Sequence, residues 1–240
     1  MVRAAIVTVG NELLAGDVEN TNGSWLARRL AALGVEVALI ASIGDEIERV
    51  ASFVREQAAA FDVVIVTGGL GGTPDDVTRE SVAAAFGVAQ VEVPDVAARL
   101  RARFARDPEY AARWALLPEG SRPLEIANGG APGFVIENVY VLPGLPAEME
   151  AMFETIADEL RGGSPISTWR RTYRTTEARI VGVLQEMAAL HPDVAVGSYP
   201  SFDRGVSEVE VVVKSADREA LAAAAAWIEP ALERATSASG

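Results

Sequence analysis

Apolar residues in the first two thirds of the chain form short continuous runs separated by helical stripes. The runs, typical of strands buried on both faces, are residues 4–9, 35–43, 63–66 and 139–142. Between them, apolar residues recur three or four positions apart, as at Leu26, Leu30 and Leu33. Strands alternating with helices predict right-handed βαβ units, and we expect a mostly parallel, three-layer α/β/α domain.

The pattern changes after a Gly- and Pro-containing linker at residues 161–165. The predicted elements there are a strand, a helix, two strands and a helix, at residues 169–175, 180–190, 193–199, 206–213 and 218–234. This βαββα order predicts a second, smaller α+β domain with antiparallel strands. We therefore expect two domains, residues 1–165 and 166–240. Residues 117–133, rich in Pro and Gly, predict hairpin-like strands with a tight turn at 128–130.

Polar or glycine-rich turns follow four of the predicted strands of the first domain. In a mostly parallel sheet, ligands bind beyond the carboxyl ends of the strands, where the strand order reverses. The four turns are residues 10–12, 44–46, 67–76 and 143–146. A ligand crevice is therefore predicted where these turns meet.

The third turn combines four glycines in five residues, 68–72, with the carboxylate pair Asp75 and Asp76. Glycines allow backbone N–H groups to approach a ligand closely, and a loop before a helix favours an anion such as phosphate. The two carboxylates would repel a bare phosphate, and a divalent metal between acid and phosphate resolves this conflict. In the alternative interpretation, the glycines only turn the chain and Asp75 or Asp76 caps the helix.

Composition excludes several classes of function. The 240 residues include no cysteine, which excludes disulfides, thiolate nucleophiles and zinc–thiolate sites. The formal net charge of −13 argues against general binding to nucleic acid. No apolar run approaches the length of about 20 residues that crosses a bilayer. We expect a cytoplasmic protein that binds neither nucleic acid nor membrane.

Five motifs occur in an order that resembles the competence/damage-inducible protein A (CinA) family. They are VGNELLAGDVENTN (9–22), TGGLGGTPDDVT (67–78), APGF (131–134), LPGLPAEM (142–149) and GSYPSF (197–202). The first domain of that family belongs to the molybdopterin-binding superfamily, which also serves molybdenum-cofactor biosynthesis. Residues from 169 onward resemble its KH-type small domain. Longer members carry a C-terminal amidohydrolase acting on nicotinamide mononucleotide, and we expect this chain to lack it.

The resemblance implies a metal-dependent hydrolase of pyrophosphate bonds in nucleotides such as ADP-ribose and FAD. It implies a divalent ion (Mg²⁺, Mn²⁺ or Co²⁺) bound by Asp76, with Asp75 and Asp45, and an attacking water oriented by Glu12 or Asp45. The phosphate would be held by Gly68, Gly69, Gly71 and Thr73. The remaining pocket residues are expected to be Gly10, Asn11, Asn20, Thr67, Thr78, Pro143, Gly144 and Pro146. Relatives in this superfamily often form dimers or trimers, so a homo-oligomer is also implied.

Two positions depart from the pattern of the superfamily. Many relatives have proline where Gly72 stands, so a looser loop is expected. Leu70 replaces the threonine of many molybdenum-cofactor enzymes and removes a hydroxyl from the loop, which puts pterin specificity in doubt. Two alternatives therefore rank below the hydrolase. One is a molybdopterin-binding enzyme of nucleotidyl transfer or metal insertion, and the other is a non-catalytic sensor of a pterin or nucleotide.

Overall fold

The computed structural model describes residues 2–127, 130–203 and 205–237. The predicted turn at residues 128–130 lies outside them except for Gly130. The chain divides into two units, Met1–Gly163 and Ser164–Gly240. Within the described residues, no helix combines the length and the apolar character that crossing a bilayer requires.

The first unit alternates strands and helices, as the apolar pattern predicts. In chain order its elements are β1 (Val2–Val9), α1 (Asn11–Ala15), α2 (Thr21–Ala32), β2 (Val35–Ile43), α3 (Ile47–Ala60), β3 (Val63–Thr67), α4 (Thr78–Phe86), β4 (Gln90–Glu92), α5 (Pro94–Arg103), α6 (Pro108–Ala112), β5 (Leu116–Pro118), β6 (Arg122–Leu124), β7 (Gly133–Ile136), β8 (Val139–Leu142) and α7 (Pro146–Ile156). A single 3₁₀ turn, Arg113–Ala115, connects α6 to β5. The pattern did not predict α1, α6 or the short β4–β5 pair.

The central sheet has the strand order β2-β1-β3-β8-β7-β6. The pairs β1–β2, β1–β3 and β3–β8 are parallel, whereas β7 and β6 are added antiparallel. The chain passes from β1 to β2 on one side and returns to β3 on the other. The order therefore reverses at β1, and the crevice expected at such a point lies between the carboxyl ends of β1 and β3.

Helices cover both faces of this sheet, which confirms the predicted three layers. On one face the buried side chains include Val50 and Val54 of α3 and Val82 of α4. On the other they include residues of α2 and α7, namely Leu26, Leu30, Met149, Met152, Phe153 and Ile156. Ile47, at the first position of α3, is 41% exposed.

The second unit has the predicted βαββα order. Its elements are β9 (Ser167–Tyr173), α8 (Glu177–Leu190), β10 (Ala195–Asp203), β11 (Val206–Ser215) and α9 (Arg218–Ser237). The strands form an antiparallel sheet in the order β10-β11-β9. Both helices pack on it through buried side chains, including Ile180, Met187, Val211, Ile228 and Leu232.

Candidate functional site

A cleft of about 710 Å³ opens at the carboxyl ends of β1 and β3. This volume is within the range of small-molecule sites. Its walls include the starts of α2 and α7, the glycine loop after β3 and the segment from α5 to the 3₁₀ turn. The predicted site residues that line it are Glu12, Asn20, Thr67, Gly68, Gly69, Gly71, Asp76, Pro143, Gly144 and Pro146.

The other predicted residues, Gly10, Asn11, Asp45, Thr73, Asp75 and Thr78, lie behind or beside the lining. The backbone N–H of Asn11 donates to Asp45 Oδ2 at 2.7 Å, and the backbone N–H of Asp45 donates to Asn11 Oδ1 at 3.3 Å. These two bonds join the turns that follow β1 and β2. Gly10 makes room for Glu12, because a Cβ at position 10 would overlap the Glu12 carboxylate.

Two glycines of the loop are required by close approach. Gly68 has φ +104°, and a Cβ there would overlap the carbonyl oxygen of Val9 at the end of β1. Gly69 has φ +64°, and a Cβ there would overlap the hydroxyl of Thr78. That hydroxyl donates to the Gly68 carbonyl at 2.8 Å. The loop is therefore pressed between β1 and the start of α4, in a conformation that favours glycine.

Asp76 closes the loop with both carboxylate oxygens. Its Oδ1 accepts from the backbone N–H of Gly71 at 2.8 Å, and its Oδ2 accepts from the backbone N–H of Thr73 at 2.8 Å and from the Thr73 hydroxyl. The anion that these two amides bind is thus the side chain of the protein itself. The phosphate-binding role predicted for Gly71 and Thr73 would require Asp76 to release them.

Arg79 holds the same loop from the opposite side, and the sequence analysis missed it. It is only 5% exposed, and its guanidinium donates to the carbonyls of Leu70 at 2.6 Å and Gly71 at 2.7 Å. Burial lowers the pKa of Arg79, although an arginine stays protonated in proteins. Because C=O and N–H point to opposite sides of a trans peptide, Arg79 and Asp76 together fix the peptide between Leu70 and Gly71. An arginine among the apolar residues of α4 was the available signal.

Asn20 and Asn22 both line the cleft, and their side chains make different contacts. The side-chain oxygen of Asn20 caps α2 by accepting a hydrogen bond from the Gly23 N–H at 2.9 Å. Its amide nitrogen donates to the hydroxyls of Thr8 and Ser42. The polar atoms of Asn20 are therefore engaged by the scaffold. Asn22 lies between the glycine loop and the turn before α7, because its amide donates to Thr67 Oγ1 at 3.2 Å and to the Gly144 carbonyl at 2.8 Å.

Four carboxylates are close enough to interact at the β1 end of the cleft. The pKa of Asp45 is raised, chiefly by burial and further by the charges of Glu12, Asp75 and Asp76, against the lowering effect of the Asn11 N–H. Glu12 lines the cleft, and its carboxylate has no hydrogen-bond partner among the described residues. The described part of the chain contains no group of three His, Cys, Asp or Glu side chains placed to hold a metal by themselves. The donors fit instead a Mg²⁺-type ion that takes one or two protein carboxylates together with substrate phosphates.

The far end of the cleft is aromatic. Trp114 lines it and meets Phe104 edge-on at 5.2 Å and Tyr110 at 5.7 Å between ring centroids. These rings fill the place of a side chain at Gly72, where a Cβ would overlap the Tyr110 hydroxyl and lie 2.9 Å from Trp114 Nε1. The sequence predicted a looser loop at Gly72, whereas in the structure Tyr110 and Trp114 pack against this residue.

The side chain of Leu70 packs in the core of the domain, although the residue also lines the cleft. It is 2% exposed and belongs to the apolar cluster beneath the sheet that includes Val66 and Val82. The side chain at this position is a core residue, so the loss of a hydroxyl here does not by itself decide between a nucleotide and a pterin.

Comparisons with known proteins found a matching family model for each part of the chain. Residues 5–162 match the family described as "Probable molybdopterin binding domain". Residues 171–239 match the family described as "FAD synthase, middle domain". The second match corrects the expectation of a KH-type domain. The βαββα order of the second unit does not by itself identify a family.

Individual relatives agree with the first match. A protein of Archaeoglobus fulgidus is 39% identical over 195 residues, which are 81% of this chain and 84% of that protein. A CinA-like protein of Frankia casuarinae is 42% identical over 190 residues, but the match covers 72% of this chain and only 44% of that protein. The crystal structure of the protein CinA, of unknown function, from Thermoplasma acidophilum has 31% identity and a TM-score of 0.62, covering 66% of this chain and 98% of that one. The chain therefore belongs to the family of molybdopterin-binding domains, as a CinA-like member.

Proposed function

We propose that the first domain hydrolyses the pyrophosphate bond of a dinucleotide of the ADP-ribose or FAD type. One observation carries this proposal. The glycine loop, the starts of α2 and α7 and the carboxylate of Glu12 all line the same cleft. Backbone dipoles that favour phosphate and acids that favour a cation are the two halves of a site for phosphoryl transfer.

The phosphates are assigned to the part of the cleft between the glycine loop and the turn before α7. Helix α7 begins at Pro146 and α2 at Thr21, and residues from both starts line the cleft. The positive end of a helix dipole and its unsatisfied N–H groups attract an anion. The N–H of Gly69 has no acceptor among the described residues and is available to a phosphate oxygen.

The attacking water is assigned to the acidic end of the cleft. Glu12 projects there without a protein partner, and the raised pKa of Asp45 makes its carboxylate a stronger base than an ordinary aspartate. Either residue can accept the proton that water loses as it attacks phosphorus. The products would be AMP with ribose 5-phosphate, or AMP with FMN.

A divalent ion is expected to enter with the substrate. Glu12 and Asp45 are the carboxylates assigned to it, whereas Asp76 would first have to release the loop amides that it now accepts from. When bound, such an ion neutralises the phosphoryl oxygens and activates the attacking water.

The test is AMP release from ADP-ribose and from FAD with Mg²⁺, Mn²⁺ or Co²⁺. FAD is included because the family matched by residues 171–239 is named for FAD synthase. Glu12→Gln should reduce the metal-dependent rate about 100-fold, the usual contribution of a general base. The matched control is Asp17→Asn, an exposed acid just after α1 that does not line the cleft, and it should leave the rate unchanged. No metal-dependent release from either substrate would overturn the proposal.

The matched family also supports a second candidate, a molybdopterin-binding protein without hydrolase activity. The observation that favours this candidate is the match of residues 5–162 to a family described as a probable molybdopterin binding domain. This candidate predicts binding of a pterin phosphate with no AMP release from either dinucleotide under any of the three metals.

A further inference from the structure

We propose that the aromatic end of the cleft is the subsite for the heteroaromatic ring of the substrate. Trp114 is the residue that makes a ligand with such a ring bind more tightly than a ligand without one. The ligand class is a planar nitrogen heterocycle that carries N–H donors, joined through a sugar to the phosphates. This inference rests on the proposed nucleotide substrate and adds to it the part of the molecule that the glycine loop does not bind.

The first observation is that the aromatic cluster is part of the cleft wall. Phe104, Trp114 and Leu145 all line the cavity that contains the glycine loop. Leu145 is 65% exposed although it lies at the lip of a cleft, at the N-cap of α7. An exposed leucine and an indole in one cavity offer apolar surface to the face of a planar ring, and stacking of this kind tolerates any base.

The second observation is that Trp114 is fixed in place before any ligand arrives. Phe104 and Tyr110 meet its ring at interplanar angles of 88° and 70°. The backbone of Gly72 lies against its Nε1 edge, where no other side chain would fit. Its buried Nε1–H has no hydrogen-bond acceptor in the described part of the chain. A rigid indole loses little side-chain entropy when a ligand ring stacks on it.

The third observation is a carboxylate beside this indole. Glu148, in the first turn of α7, lines the cleft, and its Oε1 accepts from the Gly130 N–H at 3.1 Å. A Cβ placed at Gly130 would lie 3.7 Å from Glu148 Oε1 and 3.9 Å from Trp114 Cζ3, so the two side chains border the same small space. A carboxylate accepts hydrogen bonds only, so it selects rings with N–H groups on their edge, such as the amino group of adenine.

The test compares two ligands that differ only in the ring, AMP and ribose 5-phosphate, by calorimetric titration of the full chain. The native protein should bind AMP at least about tenfold more tightly, as expected for one stacked base. Trp114→Leu should lose most of this difference by weakening AMP, with ribose 5-phosphate unchanged. Trp114→Phe, which keeps an aromatic ring and the packing, should retain part of it.

The matched control is Trp25→Leu, because Trp25 packs edge-on against Phe153 in the same unit and does not line the cleft. It should leave both affinities unchanged. Glu148→Gln should narrow the preference for AMP over purine riboside 5′-phosphate, which lacks the amino group.

Equal affinity of the native protein for AMP and ribose 5-phosphate would overturn the inference without any variant, and so would failure of AMP to bind. Equal weakening of both ligands in Trp114→Leu would also overturn it, because that result describes a structural residue. Ring-dependent binding without AMP release from ADP-ribose would support the ring subsite and contradict the hydrolase. AMP release from ADP-ribose by a protein whose binding affinity does not depend on the ring would support the hydrolase and contradict the ring subsite.

Discussion

Gly71 and Asp76 are joined by a hydrogen bond of 2.8 Å from the backbone N–H to Oδ1, and the carboxylate closes the glycine loop on itself. The carbonyl of Gly71 is bonded in turn to Arg79 at 2.7 Å. The loop is thus clamped between a carboxylate on the cleft side and a buried guanidinium behind it. Its shape is built into the protein and does not wait for a ligand.

Asp76→Asn separates a structural role of this carboxylate from a chemical one. The amide nitrogen of Asn cannot accept from the N–H of Gly71 or Thr73, so at least one bond of the loop is lost. We expect the free energy of unfolding to fall by about 1–3 kcal/mol and AMP affinity to weaken about tenfold. Denaturant titration and calorimetric titration measure the two effects, with Asp17→Asn as the control. Unchanged stability and affinity with abolished turnover would instead place Asp76 in the chemistry.

Arg79→Met should damage the loop from the other side. It leaves the carbonyls of Leu70 and Gly71 without their donor in a buried setting, and we expect a loss of about 2–4 kcal/mol in the free energy of unfolding. Arg79→Lys should recover only part of this loss, because one ammonium cannot reproduce the planar fork of the guanidinium. Arg28→Met, at an exposed position of α2, should stay within about 0.5 kcal/mol of the native protein. An Arg79→Met protein as stable as the control would contradict the clamp.

Gly68→Ala and Gly87→Ala form a pair that separates backbone strain from close packing. Both glycines have positive φ, +104° and +67°, so both variants carry the strain of a left-handed alanine, about 1–2 kcal/mol. Only at Gly68 would the added Cβ overlap another atom, the carbonyl oxygen of Val9. We expect Gly68→Ala to be less stable than Gly87→Ala and to lose AMP binding. Equal melting temperatures and equal AMP affinities would show that the loop shifts to make room for the added Cβ without losing stability or affinity.

Asp45 gives a dependence of stability on pH whose sign is fixed by its raised pKa. The folded state holds this proton more tightly than the unfolded chain, so the stabilisation is complete below the unfolded pKa and is lost as pH rises through the folded pKa. Asp45→Asn has no charge to develop and should melt higher than the native protein at about pH 7, with the gap closing towards about pH 3. Melting curves in EDTA measure this, since a bound divalent ion would oppose the effect. A variant less stable at neutral pH would show that the charged form is favoured.

The periodic parts of the fold could be predicted from the sequence because burial repeats locally. The run of residues 35–43 and the stripe that contains Leu26 and Leu30 correspond to β2 and α2. The segment from α6 to β5 could not be predicted in the same way, because a short helix and a 3₁₀ turn lack a sustained period. Trp114, which lies there, was missed as a wall of the cleft for this reason.

The position of the site could be predicted, but the roles of its residues could not. Glycine-rich and acidic turns at strand ends pointed to the cleft between β1 and β3. The partners of Asp76 and Arg79 are backbone N–H and C=O groups. Every residue type but proline has both groups, so the residue types in the sequence do not indicate these contacts. Asn20 and Asn22 are two residues apart with the same side chain. Only the tertiary structure places one against Thr8 and Ser42 and the other against Thr67 and Gly144.

Both proposals require that a phosphate-bearing nucleotide binds between the glycine loop and the start of α7. Hydrogen exchange of the full chain with and without AMP, in the presence of Mg²⁺, measures this directly, because AMP has no pyrophosphate bond to be cleaved. We predict slower exchange in peptides that cover residues 67–73 and 143–149, and no change in peptides from the second unit. Turnover of ADP-ribose with metal but no protection of these two segments would place the active site elsewhere and contradict the account.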